Sequence, residues 1–442
     1  MKEILRKITI LNNKYYIGLI IFIFTFLFAP PIIPNINFIF VNFIFALFAI
    51  IFKYNNKLKD LFKNITFKKI LKLILIYILY YILIAILNTL FTNVWNVSNY
   101  IINIYSIVLA FPVVIVCCLY IIFRSNELNV NYHKLVKLFI IAGLIQSFIA
   151  ILALLVPPIK SVLVSIMYWA TGDELLATPW VVSRRFFGFA NNMLDLFGFG
   201  TGILAILPLY YYKDSKSKIK GLILFFLLLI VPILNSRSGI IIAFIGVLIY
   251  VISVFIGKDK NEIKQLIKYI IISMIIFAFL IAIVYFLSPN TITWIIKDFA
   301  SFLPNNIFNS YGTANALFSK EFWTLPNNIL NMIFGSGINV SGYSDYSIHN
   351  ITHSDVGYIN EIWKVGIIGT LFVFYLLCFI VYKGYKNLKD DKYKFLLIFF
   401  GISLFVISIK CSVITYNTAL ATIMCLSLLP TTIENGGEND EE

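Results

Sequence analysis

The sequence predicts an all-α polytopic membrane protein of about twelve transmembrane helices, and three observations carry that expectation. Of the 442 residues, 60% are hydrophobic and only 13% charged, about half the charge of an ordinary globular domain. The hydrophobic residues fall in runs of about 17–25, the length a helix needs to cross a hydrocarbon core of roughly 30 Å. The basic residues cluster in every second connection between those runs, which is how cytoplasmic loops are marked.

The expected spans are 15–33, 36–52, 70–91, 100–123, 134–156, 193–212, 219–234, 239–256, 268–287, 357–382, 395–410 and 412–430. The inner side receives the N-terminal segment with Lys2, Arg6, Lys7 and Lys14. It also receives the connections Lys53 to Lys72, Arg124 to Lys137, Lys213 to Lys220, Lys258 to Lys268 and Lys383 to Lys394. Together these hold 27 of the 35 Lys and Arg. The other eight (Lys160, Arg184, Arg185, Arg237, Lys297, Lys320, Lys364 and Lys410) fall in outer loops or near the outer ends of spans. One misplaced span would invert everything after it, so an alternation that holds from end to end puts both termini in the cytoplasm. No cleavable signal peptide is expected, because the first run is as long as the others and no small-residue cleavage site follows it. The chain reads as a single transmembrane domain, 1–433, with an acidic cytoplasmic tail, 434–442, expected to be disordered.

The net charge of +14 is therefore an orientation signal, and no nucleic-acid partner is expected. Cys117, Cys118, Cys378, Cys411 and Cys425 lie in or at the ends of apolar runs and form no Cys-x-x-Cys pattern. Neither a zinc site nor a disulfide framework is indicated. Two outer loops are long, about 157–192 and about 288–356. The second contains Pro289, Pro304 and Pro326 and two apolar-aromatic patches, Ile292 to Ile296 and Leu317 to Trp323. Their spacing predicts short amphipathic helices at the interface, and a loop so long is expected to be a functional lid or platform.

Most polar groups capable of chemistry gather in three outer segments. The first runs from Ser183 through Arg184, Arg185 and Gly188 to Asn192, with Asp195 at the mouth of the next span. The second is Asn235-Ser236-Arg237-Ser238-Gly239, read as a five-residue turn. The third runs from His349 through His353, Ser354 and Asp355 to Tyr358 and enters the span carrying Glu361 and Lys364. Arg237 is the most informative. Basic residues are kept off the outer side and away from helix N-termini, so a cation in this position implies an anion to hold. Guanidinium offers a planar fork that grips phosphate bidentately, Ser236 or Ser238 can cap the following helix, and the N–H groups at that end add to an anion site. The plain alternative is a snorkelling surface cation.

Arg184 and Arg185 read as phosphate ligands or as headgroup contacts, and Asp195 as a partner for one of them or a pocket group. His349 and His353 carry groups that titrate near neutrality and can take a proton from a sugar hydroxyl. Their four-residue spacing would suit a metal pair only in a helix, but Ser354 and Asp355 read as the N-cap and first-turn acid of the next helix, which leaves the histidines before it. No metal is expected. Glu361 and Lys364, three apart on one helical face, read as a mutually neutralising pair.

These segments resemble the O-antigen polymerase and ligase superfamily, the Wzy-type membrane enzymes that join lipid-linked oligosaccharides. The matching elements are Arg185-x-x-Gly188-Phe189-x-Asn191 before a span, Ser236-Arg237-Ser238-Gly239 opening one, and Ile333-Phe334-Gly335-Ser336-Gly337 in the large loop. The last is His353-Ser354-Asp355-x-Gly357-Tyr358, leading into a helix with Gly366-Ile367-Ile368-Gly369. The resemblance covers about residues 180 to 385, and the first five spans match only as generic membrane helices. Asn192 stands where such proteins often have Pro. The resemblance implies a GT-C-like fold and a bacterial plasma-membrane enzyme that polymerises polyprenyl-diphosphate-linked repeat units into a surface polysaccharide. In it, Arg185 and Arg237, with Arg184, would hold the donor diphosphate. His353, supported by His349 and Asp355, would act on the acceptor. It implies no cofactor, since the diphosphate leaving group already activates the sugar, and it names the lipid-linked oligosaccharide, membrane lipids, a chain-length regulator and a flippase as partners. The alternatives are a ligase that transfers finished glycan, and a flippase or transporter, which should concentrate charge or broken helices near mid-membrane.

Overall fold

The computed structural model describes residues 14–34, 36–92, 109–171, 178–186, 188–190, 195–215, 217–256, 260–300, 320–337, 354, 356–412, 414 and 417–433. It is about 86% helical, and among the described residues eight helices are long and apolar enough to cross a membrane. The chain therefore has the architecture of an all-α polytopic membrane protein. The tail 434–442 and the basic residues Lys2, Arg6 and Lys7 lie outside the described residues.

Helix α1 is Lys14–Phe28. The first expected span reaches residue 33, but the helix ends five residues earlier because Pro30-Pro31 cannot extend it. Pro31–Ile33 instead pairs antiparallel with Ile36–Asn37 in a short hairpin. Helix α2, Phe38–Phe48, opens on an Asn37 cap that accepts from Ile39 N, and runs through a π-helical turn, Ala49–Lys53. The chain then bends by 89° into α3, Asn55–Leu61. Next come α4 (Ile65–Thr92), a π-helical turn at Leu109–Val113 containing Pro112, α5 (Val114–Glu127), α6 (Tyr132–Leu155), and two shorter helices, α7 (Pro157–Thr171) and α8 (Pro179–Arg184). The later bundle holds α9 (Asp195–Tyr211), α10 (Lys218–Asn235), α11 (Arg237–Ile256) and α12 (Lys260–Leu287). The long connection 288–356 contributes α13 (Pro289–Ala300) and α14 (Ile329–Phe334), and α15 (Gly357–Asn387), α16 (Asp391–Lys410) and α17 (Thr418–Ile433) complete the chain.

Within the described residues, each expected span coincides with a helix. The last starts at Thr418 and not at 412, because Cys411 is extended and ends α16. Two apolar helices shorter than a full crossing, Leu196–Tyr211 and Thr418–Thr432, are buried along almost their whole length. They form the centre of the bundle, shielded by their neighbours, while Phe279, Phe286 and Leu371 on peripheral helices are 67%, 82% and 66% exposed. Apolar side chains that open have a natural solvent only in lipid. At the centre, α9 and α11 cross at backbone contact. A Cβ on Gly202 would lie 2.4 Å from Gly239 O, and one on Gly239 2.3 Å from Gly198 O. Without hydrophobic drive inside a bilayer, such close backbone approach is what helix association uses.

Contacts between connections join those that the charge pattern assigns to one side. Lys53 and Arg124 both pair with Glu127, at 2.8 and 2.7 Å, and Lys392 pairs with Asp214 at 2.9 Å, all in expected inner segments. The expected outer segments likewise meet one another, and their meeting place is the candidate site.

Candidate functional site

The site is assembled from three stretches far apart in sequence. Asn235, the last residue of α10, acts as its staple: Nδ2 donates to Phe186 O at 2.7 Å and to Val231 O at 2.8 Å, while Oδ1 accepts from Phe186 N at 3.0 Å. The amide thus extends its own helix and holds the backbone beside Arg185 like a strand partner. A few residues on, Gly188 takes φ +67° against Gln146, where a Cβ would lie 2.6 Å from Nε2, and Phe189 N donates to Gln146 Oε1 at 3.3 Å. The Arg185-x-x-Gly188-Phe189 motif is therefore fixed to α6 on one side and α10 on the other.

The expected five-residue turn around Arg237 is a break of one residue. Asn235 is still helical, Ser236 is extended (φ −160°, ψ 128°), and Arg237 opens α11. Ser236 N still donates to Pro232 O at 2.8 Å, so the chain needs no longer loop to turn. The Ser236 and Ser238 hydroxyls hydrogen-bond to each other.

Helix α13 completes the arrangement. As expected of the Ile292–Ile296 patch it is helical, with Thr291, Ile292 and Ile295 buried and Ile296 and Phe299 exposed. Thr291 Oγ1 donates to Arg184 O at 2.8 Å, which anchors α13 beside α8. This brings Trp294 to the arginines: the Arg237 Cζ lies 4.4 Å from its ring centroid and the Arg185 Cζ 5.0 Å. The two guanidinium carbons are therefore at most 9.4 Å apart, the sum of those distances. Arg185 is 8% exposed and Arg237 half-buried. At an effective dielectric of ~20, two like charges so placed repel by about 1.8 kcal/mol or more. The indole works against that repulsion with two cation–π contacts of about 0.5–2 kcal/mol each. An anion seated between the guanidiniums would turn the repulsion into a net attraction.

Arg184 joins this pair through its carbonyl, which accepts from Thr291. Asp195 is the first residue of α9, and its side chain lies outside what the structure describes, as do His349, His353 and Asp355. Ser354 is not the cap expected of it. Val356 occupies the N-cap position of α15, while the Ser354 hydroxyl donates to Phe322 O at 2.6 Å and accepts from Val356 N at 3.1 Å. Glu361 and Lys364 do pair, 3.4 Å apart, and are only 2% and 4% exposed, with the Ser412 hydroxyl donating to Glu361 Oε1.

Two features lie beyond what the sequence pattern reveals. Helix α15 breaks at Gly366 (φ 68°, ψ −179°), and the Ile333–Gly337 segment docks against the break. Ser336 N and Oγ donate to Trp363 O at 2.8 and 2.7 Å, Gly337 N to Lys364 O at 3.0 Å, and Tyr80 Oη to Val365 O at 3.2 Å. Two glycine motifs that stand apart in the sequence are thus one structural unit. The second feature is Lys160 on α7, whose Nζ lies 3.6 Å from the Phe186 ring centroid. The charge pattern assigns it to the outer side, the same signal that singles out Arg237. Burial pushes its ammonium down to about 8, so it is protonated below that pH and neutral above. Acylation of Lys160 by an amine reagent, followed by mass spectrometry, should show a midpoint near pH 8; a midpoint near that of ordinary lysine would mean the amine is solvated.

No known protein-family model matches the chain, and no curated protein sequence matches it.

Proposed function

We propose that this protein is a membrane glycosyltransferase that polymerises polyprenyl-diphosphate-linked oligosaccharide repeat units on the outer face of a bacterial plasma membrane. The observation that carries the reading is the convergence of Arg185 and Arg237 on one indole. Two preorganised guanidiniums stabilise charge developing on a departing diphosphate. In the proposed step the anomeric C–O bond to the diphosphate breaks, a glycosidic bond to the acceptor hydroxyl forms, and His353 takes the hydroxyl proton, with His349 and Asp355 in support. The twelve helices would each cross or enter the bilayer in a GT-C-like arrangement, with both termini cytoplasmic.

The test supplies purified protein with lipid-linked repeat units and looks for a ladder of longer products. Arg237→Ala and His353→Ala should each remove the ladder with expression unchanged, by about two orders of magnitude or more for a lost charge-stabilising group. Retained activity in both variants would remove the site assignment. A ligase would move sugar onto a different acceptor in the same assay. The transport reading gains one observation, the buried Glu361–Lys364 pair beside a broken helix, which are features of carriers. Both lie in the first third of α15, however, toward the end that the charge pattern assigns, like the arginines, to the outer side. Movement of lipid-linked sugar across vesicles without new linkages would favour it.

A further inference from the structure

We propose that Trp294 is a positioning residue that fixes the spacing of the Arg185 and Arg237 guanidiniums for a two-phosphoryl ligand. The inference rests on reading the arginine pair as a diphosphate site. A guanidinium held over an aromatic ring meets it through its positive charge, while the N–H fork remains the part that grips phosphate. One ring in contact with both cations, at 4.4 and 5.0 Å, therefore sets the relation between two forks. Spacing of this kind matters to an anion that spans both cations and matters little to one that engages a single fork.

Trp294 is itself held. Thr291, one turn earlier on α13, is tied to Arg184 O and shares a 2.8 Å hydrogen bond with the Ser288 hydroxyl, and Ile292 and Ile295 on either side of the indole are buried. The backbone next to each arginine is fixed by the same staple, since Asn235 binds Phe186 and precedes Arg237 by two residues. The indole thus closes a triangle whose other two corners are already joined.

The experiment measures binding of farnesyl diphosphate and farnesyl monophosphate to the full chain in lipid nanodiscs. Trp294→Leu keeps apolar bulk and removes the ring; Trp294→Phe keeps a ring. Trp294→Leu should weaken the diphosphate about five- to thirtyfold, the worth of two cation–π contacts at the lower end of their range, and the monophosphate less than about threefold, with Trp294→Phe restoring most of the loss. Equal loss for both ligands would mark a merely structural role and overturn the proposal. Parent-like diphosphate binding by Trp294→Leu, with binding lost in Arg237→Ala, would overturn it while the arginine site stands. Unchanged binding in Arg237→Ala would bring down the site and the proposal together. Indole fluorescence gives a readout independent of how well Trp294→Leu folds. Farnesyl diphosphate should change the emission of the parent and not that of Trp294→Phe, and identical responses in the two would also count against the proposal.

Discussion

Gly366→Ala is expected to destabilise the protein by roughly 3–5 kcal/mol, the range of severe backbone defects. Gly366 has φ 68° and ψ −179°, a region open essentially to glycine alone. A Cβ there would lie 2.3 Å from Ile333 O and 2.5 Å from Gly335 N. Both are backbone atoms, and the facing residue cannot yield, because Gly335 has φ 94° and its own Cβ would meet Lys364 O at 2.5 Å. The control is Gly401→Ala on α16, where a Cβ meets only Val381 Cγ1 at 3.8 Å. Thermal inactivation in detergent should show Gly366→Ala unfolding far below the parent and Gly401→Ala close to it. Similar behaviour of the two would mean that α15 does not break at Gly366.

Glu361→Ala is expected to be nearly as damaging, and partly reversible by a second substitution. The carboxylate and the Lys364 ammonium are buried together, and removing one partner strands the other at a cost of about 3–5 kcal/mol. Among the described residues nothing donates to Glu361 Oε2, so the pair is already incompletely satisfied. Replacing both members by apolar residues of similar length, Glu361→Met with Lys364→Met, should therefore recover most of the loss. A double variant less stable than Glu361→Ala would show that the charges themselves are needed.

How much of this is legible in the sequence depends on the range of the interactions. Helix positions follow from the lengths of apolar runs, because that signal is local. Helix ends are less accurate where proline or an extended residue intervenes, as at Pro30-Pro31 and Cys411. The Glu361–Lys364 pair is legible because its partners are three residues apart on one helix. The meeting of Arg185, Arg237 and Trp294 is not, although each residue stands out in its own segment, because no short-range pattern says that an outer-loop tryptophan lies over two arginines from other segments. Asn235 as a staple and the docking of Ile333–Gly337 on Gly366 are hidden for the same reason. Lys160 carries the same outer-side charge signal as Arg237, but in a long loop rich in apolar residues its burial leaves no mark.

The stitching of loop segments to α15 also ties two distant stretches of chain to one helix. Gly337 N is bound to Lys364 O, and Ser354, where the chain comes back, is bound to Phe322 O and sits at the start of the same helix. Gly337 and Ser354 are thus both moored at the first turns of one helix, and a displacement of that helix carries the two together. An insertion of a few Gly and Ser residues between 340 and 347 should therefore leave both moorings in place and cost little stability, because closure entropy grows only slowly with length.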